Sequence, residues 1–110
     1  MSKQVRDNIT KQHVETGPAL QIQAMRVDRG WSEAELAKRL GVSANVVKQL
    51  QRPGRVISLA MMVRVADVFD VALMVRFVPT LELLEYLASM TYDQLAPPSF
   101  DDDRLRRMAK

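Results

Sequence analysis

The stretch LGVSANVVKQLQ, Leu40 to Gln51, combines a glycine turn with a short segment whose polar and apolar residues fall on opposite sides. Ser43 is a typical helix-capping residue, so we expect a helix to follow it. At 3.6 residues per turn, the side of that helix facing the core carries Val46, Val47 and Leu50. Its outer face carries Ala44, Asn45, Lys48 and Gln49. Because Gly41 tolerates a positive φ, the stretch predicts a tight turn leading into the second of two helices.

The flanking sequence predicts three more helices around this pair. Gly17-Pro18 is predicted to open the first clear helix, because proline suits the first helical position, and Gly30 to end it. The segment SEAE, Ser32 to Glu35, predicts a capping box at the start of the next helix. Ser58 is predicted to cap a fourth helix and Thr80 a fifth. Residues 1–16 form either a helix or a mobile arm, and the sequence leaves both open.

Two helices across a tight turn, the second polar on its outer face, match the helix-turn-helix that places its second helix in the DNA major groove. Asn and Gln side chains can pair with adenine, lysine can donate to guanine, and a small alanine allows close approach. Arginines in the following loop suit phosphates, which fix register instead of sequence. The pattern alone is equally compatible with an ordinary helical hairpin that has a wet surface.

The larger match favours the DNA-binding interpretation. From Ile22 to Val71 the chain resembles the lambda repressor and Cro-like (XRE) helix-turn-helix family, in IQAMRVDRGWSEAELAKRLGVSANVVKQL and in SLAMMVRVADVFDV. The resemblance implies a compact helical bundle, a dimer on a near-palindromic operator, and transcriptional repression. It places the base-reading residues at Ala44, Asn45, Lys48 and Gln49. The expected phosphate contacts are Ser32, Lys38, Ser43, Arg52 and Arg55. The family's core positions fall on Leu36, Ala37, Val42, Val47 and Leu50.

This chain departs from the family pattern at several positions. Glu33 stands where the family commonly has a glutamine that helps to hold phosphate, and a carboxylate facing DNA is unhelpful. Arg26 is present, but Gln51 replaces the glutamate with which many members pair it, which leaves at best a neutral hydrogen bond. Trp31 replaces a smaller aliphatic residue, and we interpret it as a filler of the core instead of a base-stacking residue. The loop RPGR, Arg52 to Arg55, replaces the usual one.

The segment VALMVRFV, Val71 to Val78, is rich in β-branched residues and predicts a short strand. A single strand has unpaired edges, and no second segment of comparable quality exists in the sequence. An antiparallel pair with a second copy across a two-fold axis resolves this, although a strand or helix covered within one chain stays open. The predicted dimer interface comprises Leu73, Met74, Val75, Arg76, Phe77, Val78, Leu84 and Leu87.

Composition excludes several function classes. There is no cysteine, and no apolar run approaches the roughly 18 residues of a membrane span. None of the common catalytic motifs is present, so the sequence predicts a non-enzymatic protein with no catalytic residue, metal or cofactor. The absence of cysteine and of a membrane span favours a cytoplasmic location. The single histidine, His13, is expected to be exposed and idle. The acids Asp101 to Asp103 could attract a cation, but a solvated charge run explains them better.

Charge is distributed unevenly. The net charge is +3, yet Gly17 to Ser58 carries +4 and Thr80 to Asp103 carries −6 with no cation. A basic middle beside an acidic third is expected of a chain that meets a polyanion with one half. An alternative function is an antitoxin-type module whose C-terminal part holds a partner protein, with Phe100, Leu105 and Met108 as anchors.

These observations predict a mainly α fold. We expect a five-helix lambda-repressor-like bundle with a short β-strand after the fourth helix. The predicted organisation is an arm or helix over 1–16, a helix-turn-helix domain over 17–71, a strand plus helix for dimerisation over 72–95, and a flexible charged tail over 96–110.

Overall fold

A computed structural model describes residues 1–109, which form seven helices and no strand. The helices are α1 (Lys3–Asp28), α2 (Glu33–Leu40), α3 (Ala44–Leu50), α4 (Leu59–Phe69), α5 (Thr80–Ala88), α6 (Tyr92–Leu95) and α7 (Phe100–Met108). The mainly helical class is as expected, whereas the five-helix count is wrong. No helix in this part of the chain is long and apolar enough to cross a membrane.

The core forms where α1, α2, α3 and α4 meet. Leu36, Val47 and Phe69 are its most deeply buried large side chains. Ile22 and Met25 of α1 join them. Burial of a side chain of this size contributes about 1.5–3 kcal/mol. The first four helices therefore hold the α2–α3 pair in a fixed orientation.

Helix α1 runs without a break through Gly17 and Pro18, so the prediction that these residues open a helix is wrong. Proline inside a helix removes one backbone hydrogen bond, which usually disfavours it. Here Ala19, directly after the proline, begins a buried face that extends to Met25, and this packing offsets the lost hydrogen bond. A Cβ on Gly17 would lie 3.3 Å from the His13 ring, so glycine leaves room for that ring.

His13 is half-buried, not exposed as expected. Its ring meets the ring of Tyr86 edge to face, with centroids 6.1 Å apart. This contact joins α1 to α5.

The strand expected within Val71–Val78 is absent: residues 71–79 have no regular structure in the described chain. The physical reason is that a strand exists only with a paired neighbour, and residues 1–109 contain no second strand. Thr80 was expected to cap the next helix, but it is the first helical residue of α5; Pro79 holds the cap position, with no side-chain hydrogen bond there.

The C-terminal segment is helical, not a loose tail. Thr91 and Gln94 form a reciprocal capping box at α6, and Ser99 caps α7. Ala96 between them is 2% exposed and belongs to the core. Asp101 to Asp103 occupy the first turn of α7, where acids favour the helix dipole.

Three hydrogen bonds tie this segment to the rest of the molecule. The Gln21 amide donates to the carbonyl of Gln94 at 2.8 Å. The Tyr92 hydroxyl donates to Asp28 at 2.6 Å. The backbone N–H of Phe100 donates to the carbonyl of Asp70 at 2.9 Å.

Candidate nucleic-acid interface

The turn between α2 and α3 is built from local capping interactions. Gly41 ends α2 in the left-handed region, with φ at 72°. The Ser43 hydroxyl then accepts a hydrogen bond from the N–H of Val46 at 3.2 Å and starts α3. A Cβ on Gly41 would meet only the Arg64 side chain, at 4.0 Å. The requirement for glycine is therefore conformational and not one of space.

The capping box expected at Ser32 is only half formed. The Ser32 hydroxyl accepts from the N–H of Glu35 at 3.1 Å, as predicted. The Glu35 carboxylate does not reach back; it accepts from Arg39 at 2.9 Å, one turn along α2. An ion pair four residues away competes with the capping geometry for the same carboxylate.

Helix α3 presents two different faces. Val47 is 0% exposed and Leu50 is 8% exposed, while Val46 is partly buried against them. The opposite face shows Ala44, Asn45 and Lys48 to solvent, with Gln49 half-buried at its edge. Hydrogen-bonding side chains thus stand on the outside of a helix whose inner face is firmly packed.

The residues expected to meet phosphates are all exposed: Ser32, Lys38, Ser43, Arg52 and Arg55. Both serine hydroxyls already accept a backbone hydrogen bond, and each retains an O–H that can donate. Within residues 1–109 the four cations Lys38, Lys48, Arg52 and Arg55 take part in no ion pair.

The loop that carries Arg52 and Arg55 is fastened to α1. The N–H of Gly54 donates to the carbonyl of Glu15 at 3.0 Å. The N-terminal half of α1 therefore supports this loop. No local sequence pattern indicates that role, because the two residues are far apart in the chain.

Glu33 and Gln51 belong to one hydrogen-bonded network with Arg26. The Arg26 Nε donates to Gln51 Oε1 at 2.8 Å. The Gln51 Nε2 in turn donates to Glu33 Oε2 at 2.9 Å and to the carbonyl of Val47 at 3.0 Å. The expected hydrogen bond between Arg26 and the uncharged side chain of Gln51 is present. The sequence did not reveal that the carboxylate completing the network comes from Glu33.

Three further contacts stabilise the packing around α2 and α3. The Arg64 guanidinium of α4 donates to the carbonyl of Leu40 at the end of α2. Trp31 stacks on Phe69 with ring centroids 5.1 Å apart, and the Arg39 guanidinium lies 4.0 Å from the Trp31 ring. Sequence reasoning missed Arg64, which no local pattern distinguishes.

Comparison with known families agrees with this geometry. A family model described as Helix-turn-helix matches residues 22–74. Residues 22–74 therefore match the helix-turn-helix domain of the lambda-repressor-like (XRE) family. Its two defining helices are α2 and α3, and α4 packs on α2 behind them. Neither curated proteins nor solved structures gave a match to the chain.

The residues expected at a dimer interface lie at the end of the helix-turn-helix domain and beyond it. Leu73 is 41% exposed, Val75 is 68% exposed and Phe77 is fully exposed. Arg76 pairs with Glu82 of α5 at 3.3 Å. Val78 and Leu84 are half-buried, whereas Leu87 is 39% exposed and Met74 is 75% exposed. Leu73, Met74, Val75 and Phe77 therefore leave their apolar side chains largely uncovered in the described part of the chain.

Proposed function

We propose that this protein is a sequence-specific regulator of transcription that binds double-stranded DNA as a dimer and represses, including at its own promoter. The supporting observation is the exposed polar face of α3, which stands on a helix locked into the core by Val47 and Leu50. A rigid helix with hydrogen-bonding side chains on its outer face is what reading base edges requires. The location that we propose for such a regulator is the cytoplasm.

Direct reading of bases falls to Ala44, Asn45, Lys48 and Gln49. Asn45 and Gln49 are four residues apart and so share one side of α3, where both amides can address neighbouring base pairs. Lys48 adds a donor suited to guanine, and Ala44 lets the backbone approach or touches a thymine methyl group.

Affinity falls largely to Lys38, Lys48, Arg52 and Arg55. Because none of these cations is committed to an acid within residues 1–109, each can meet a phosphate without breaking an ion pair. Ser32 and Ser43 donate hydroxyl hydrogen bonds to phosphate at the starts of α2 and α3. Contacts of this kind set register and salt dependence.

We assign dimerisation to the segment Leu73–Val78 together with Leu84 and Leu87 of α5. Within residues 1–109 the segment has no main-chain hydrogen-bond partner and α5 buries none of its residues. An antiparallel pairing of two copies across a two-fold axis supplies what both lack. The same two-fold relates two half-sites about one helical turn apart on DNA.

Sequence selection from random duplex DNA tests the proposal. We expect the selected sequences to share an inverted repeat whose half-sites are about one helical turn apart. A single enriched half-site would retain the α3 assignment and contradict the dimer. No enrichment at all would contradict specific reading.

A second candidate function is that of an antitoxin-type module, which holds a partner protein while its helix-turn-helix regulates expression. It is favoured by three exposed apolar side chains of α7: Phe100 is 64% exposed, Leu105 57% and Met108 72%. A helix with these anchors can dock in an apolar groove of a partner. Co-purification of a single stoichiometric partner that is lost on truncation before Ser99 would support it.

A further inference from the structure

An apolar groove of about 520 Å³ lies between α1 and α5. Its apolar lining includes Ile9, Leu20, Leu84, Leu87, Met90 and Leu95. The edge-to-face contact between His13 and Tyr86 lies beside it. Helix α5 flanks this groove. It has nine residues and buries none of them, whereas a helix this short depends on tertiary packing for its stability.

Phe77 is the side chain that most lacks a partner. It is 105% exposed, which means that no other residue in the described part of the chain covers it. It lies three residues before α5, next to one wall of the groove in sequence. Burial of a phenylalanine from such a position is favourable, because it removes a large apolar area from water.

The number of residues in a stable interface is a reason to include the groove in the dimer interface. A stable interface of standard size uses roughly 20–30 residues from each partner. The six residues of Leu73–Val78 and the nine of α5 are fewer than this. A further surface must contribute, and the adjacent groove is apolar and open.

The proposed pairing of the two copies brings Phe77 of one copy close to the α1–α5 groove of the other. In an antiparallel pairing centred on Val75, Phe77 lies opposite the partner's Leu73. Leu73 borders a small apolar recess together with Gln21 of α1. Gln21 also lines the α1–α5 groove, so the groove begins one side chain away.

We propose that Phe77 of each copy inserts into the α1–α5 groove of the other copy. The inference rests on the proposed dimer and specifies which surfaces of the two copies are in contact. Reciprocal insertion is the form that a two-fold contact requires, since each copy supplies both the aromatic side chain and the groove. It covers α5 and the groove at once.

Site-directed disulfides test this directly, because the natural chain has no cysteine. Phe77→Cys in an untagged chain is mixed with Leu20→Cys in a tagged chain, allowed to exchange subunits and then oxidised. Leu20 lines the groove and is 43% exposed. We expect a disulfide between the two different chains, which only an intermolecular contact can give. The matched control is Val27→Cys, which lies on α1 outside the groove and is 61% exposed; it should not cross-link to Phe77→Cys.

Sedimentation equilibrium separates this inference from the dimer itself. A wild-type dimer without the Phe77–Leu20 disulfide, or one in which the Val27 control reacts equally, overturns the inference and leaves the dimer standing. A monomeric wild-type chain overturns both. A second variant avoids dependence on cysteine geometry: Phe77→Ala should weaken dimerisation by about tenfold or more, as expected for a central aromatic anchor. Unchanged dimerisation of Phe77→Ala would contradict the insertion.

Discussion

The side-chain amide of Gln51 donates a hydrogen bond to the Glu33 carboxylate at 2.9 Å, across the junction between the end of α3 and the start of α2. Its oxygen simultaneously accepts from Arg26 of α1 at 2.8 Å. One glutamine therefore links three helices, with a cation on one side and an anion on the other. The carboxylate that looked unfavourable for DNA binding is engaged within the protein.

Replacing Gln51 with glutamate should destabilise the protein, although it creates a direct ion pair with Arg26. The new carboxylate would face Glu33 and the carbonyl of Val47, both of which now accept hydrogen bonds from the amide. We expect Gln51→Glu to lower the free energy of unfolding by about 1–3 kcal/mol. Urea denaturation measures this.

The compensating change identifies the cause. In the double variant Glu33→Gln/Gln51→Glu, the donor and acceptor exchange places, so the hydrogen bond to residue 33 is restored while Arg26 gains an ionic partner. We expect most of the lost stability to return. Additive effects of the two single changes would mean that the two side chains are not coupled.

Base reading by α3 predicts site-specific losses. Asn45→Ala and Gln49→Ala should each weaken binding to the preferred sequence by about 1–3 kcal/mol and relax discrimination at one base pair. Binding to a panel of single-base operator variants measures the discrimination. Gln23→Ala is the matched control, since it removes an exposed amide from α1, outside the proposed DNA-binding face. Equal weakening on all sequences would contradict the assignment of these residues to base edges.

Phosphate binding by the loop after α3 predicts a different signature. Arg52→Gln should weaken binding on every sequence and reduce the slope of log K against log salt by about 0.9 per lost contact. Arg55→Gln should behave in the same way, since Arg55 lies in the same loop. Arg39→Gln is a suitable control, because Arg39 is held by Glu35 and lies over Trp31. An unchanged salt slope in Arg52→Gln would remove Arg52 from the set of phosphate contacts.

The helix-turn-helix could be predicted from sequence because its signals are local. Ser43 and Ser58 each cap a helix as predicted, and Gly41 ends one. The capping serines act within three residues, and the glycine acts through its own φ. The alternation of buried and exposed residues along α3 follows from helical periodicity in the same way.

The features that could not be predicted depend on distant contacts. The strong local preference of Pro18 predicts a helix start, yet α1 continues through it, and the α1 face that follows the proline is buried. The tail was expected to be loose because its composition is polar, but Ala96 reaches the core and Phe100 is tied to Asp70 by its backbone. The position of Glu33 beside Gln51 likewise follows only from the packed fold.

Tyr92 predicts a loss of stability at alkaline pH. The hydrogen bond from its hydroxyl to Asp28, helped by desolvation and by the negative charges of Asp28 and Asp93, raises the pKa of Tyr92 above its usual 10.0. The folded chain therefore holds the phenol proton more tightly than the unfolded chain does. This stabilisation is complete below pH 10.0 and is lost as the pH rises through the raised pKa.

Urea denaturation on both sides of this pH range measures the effect. Tyr92→Phe should be less stable than wild type near neutral pH, and the difference should shrink as the solution becomes more alkaline. Tyr86→Phe removes a phenol and leaves the Tyr92–Asp28 hydrogen bond in place, so it should retain the wild-type pH dependence. A constant difference between wild type and Tyr92→Phe at all pH values would show that this hydrogen bond does not act through the proton.

Main-chain pairing between two copies predicts that a proline in the middle of the segment abolishes the dimer. Val75 is 68% exposed and lies outside every helix, so Val75→Pro should leave the helical fold intact, as circular dichroism can verify. Proline lacks the N–H that pairing needs. We expect monomers in sedimentation equilibrium, with loss of tight binding to an inverted repeat but retention of weak binding to a half-site. Val75→Ala removes the side chain while keeping the N–H and should remain a dimer of lower affinity. If Val75→Pro stays dimeric, the contact between copies does not run through this backbone; if Val75→Ala and Val75→Pro are equally monomeric, side-chain packing and not hydrogen bonding holds the two copies together.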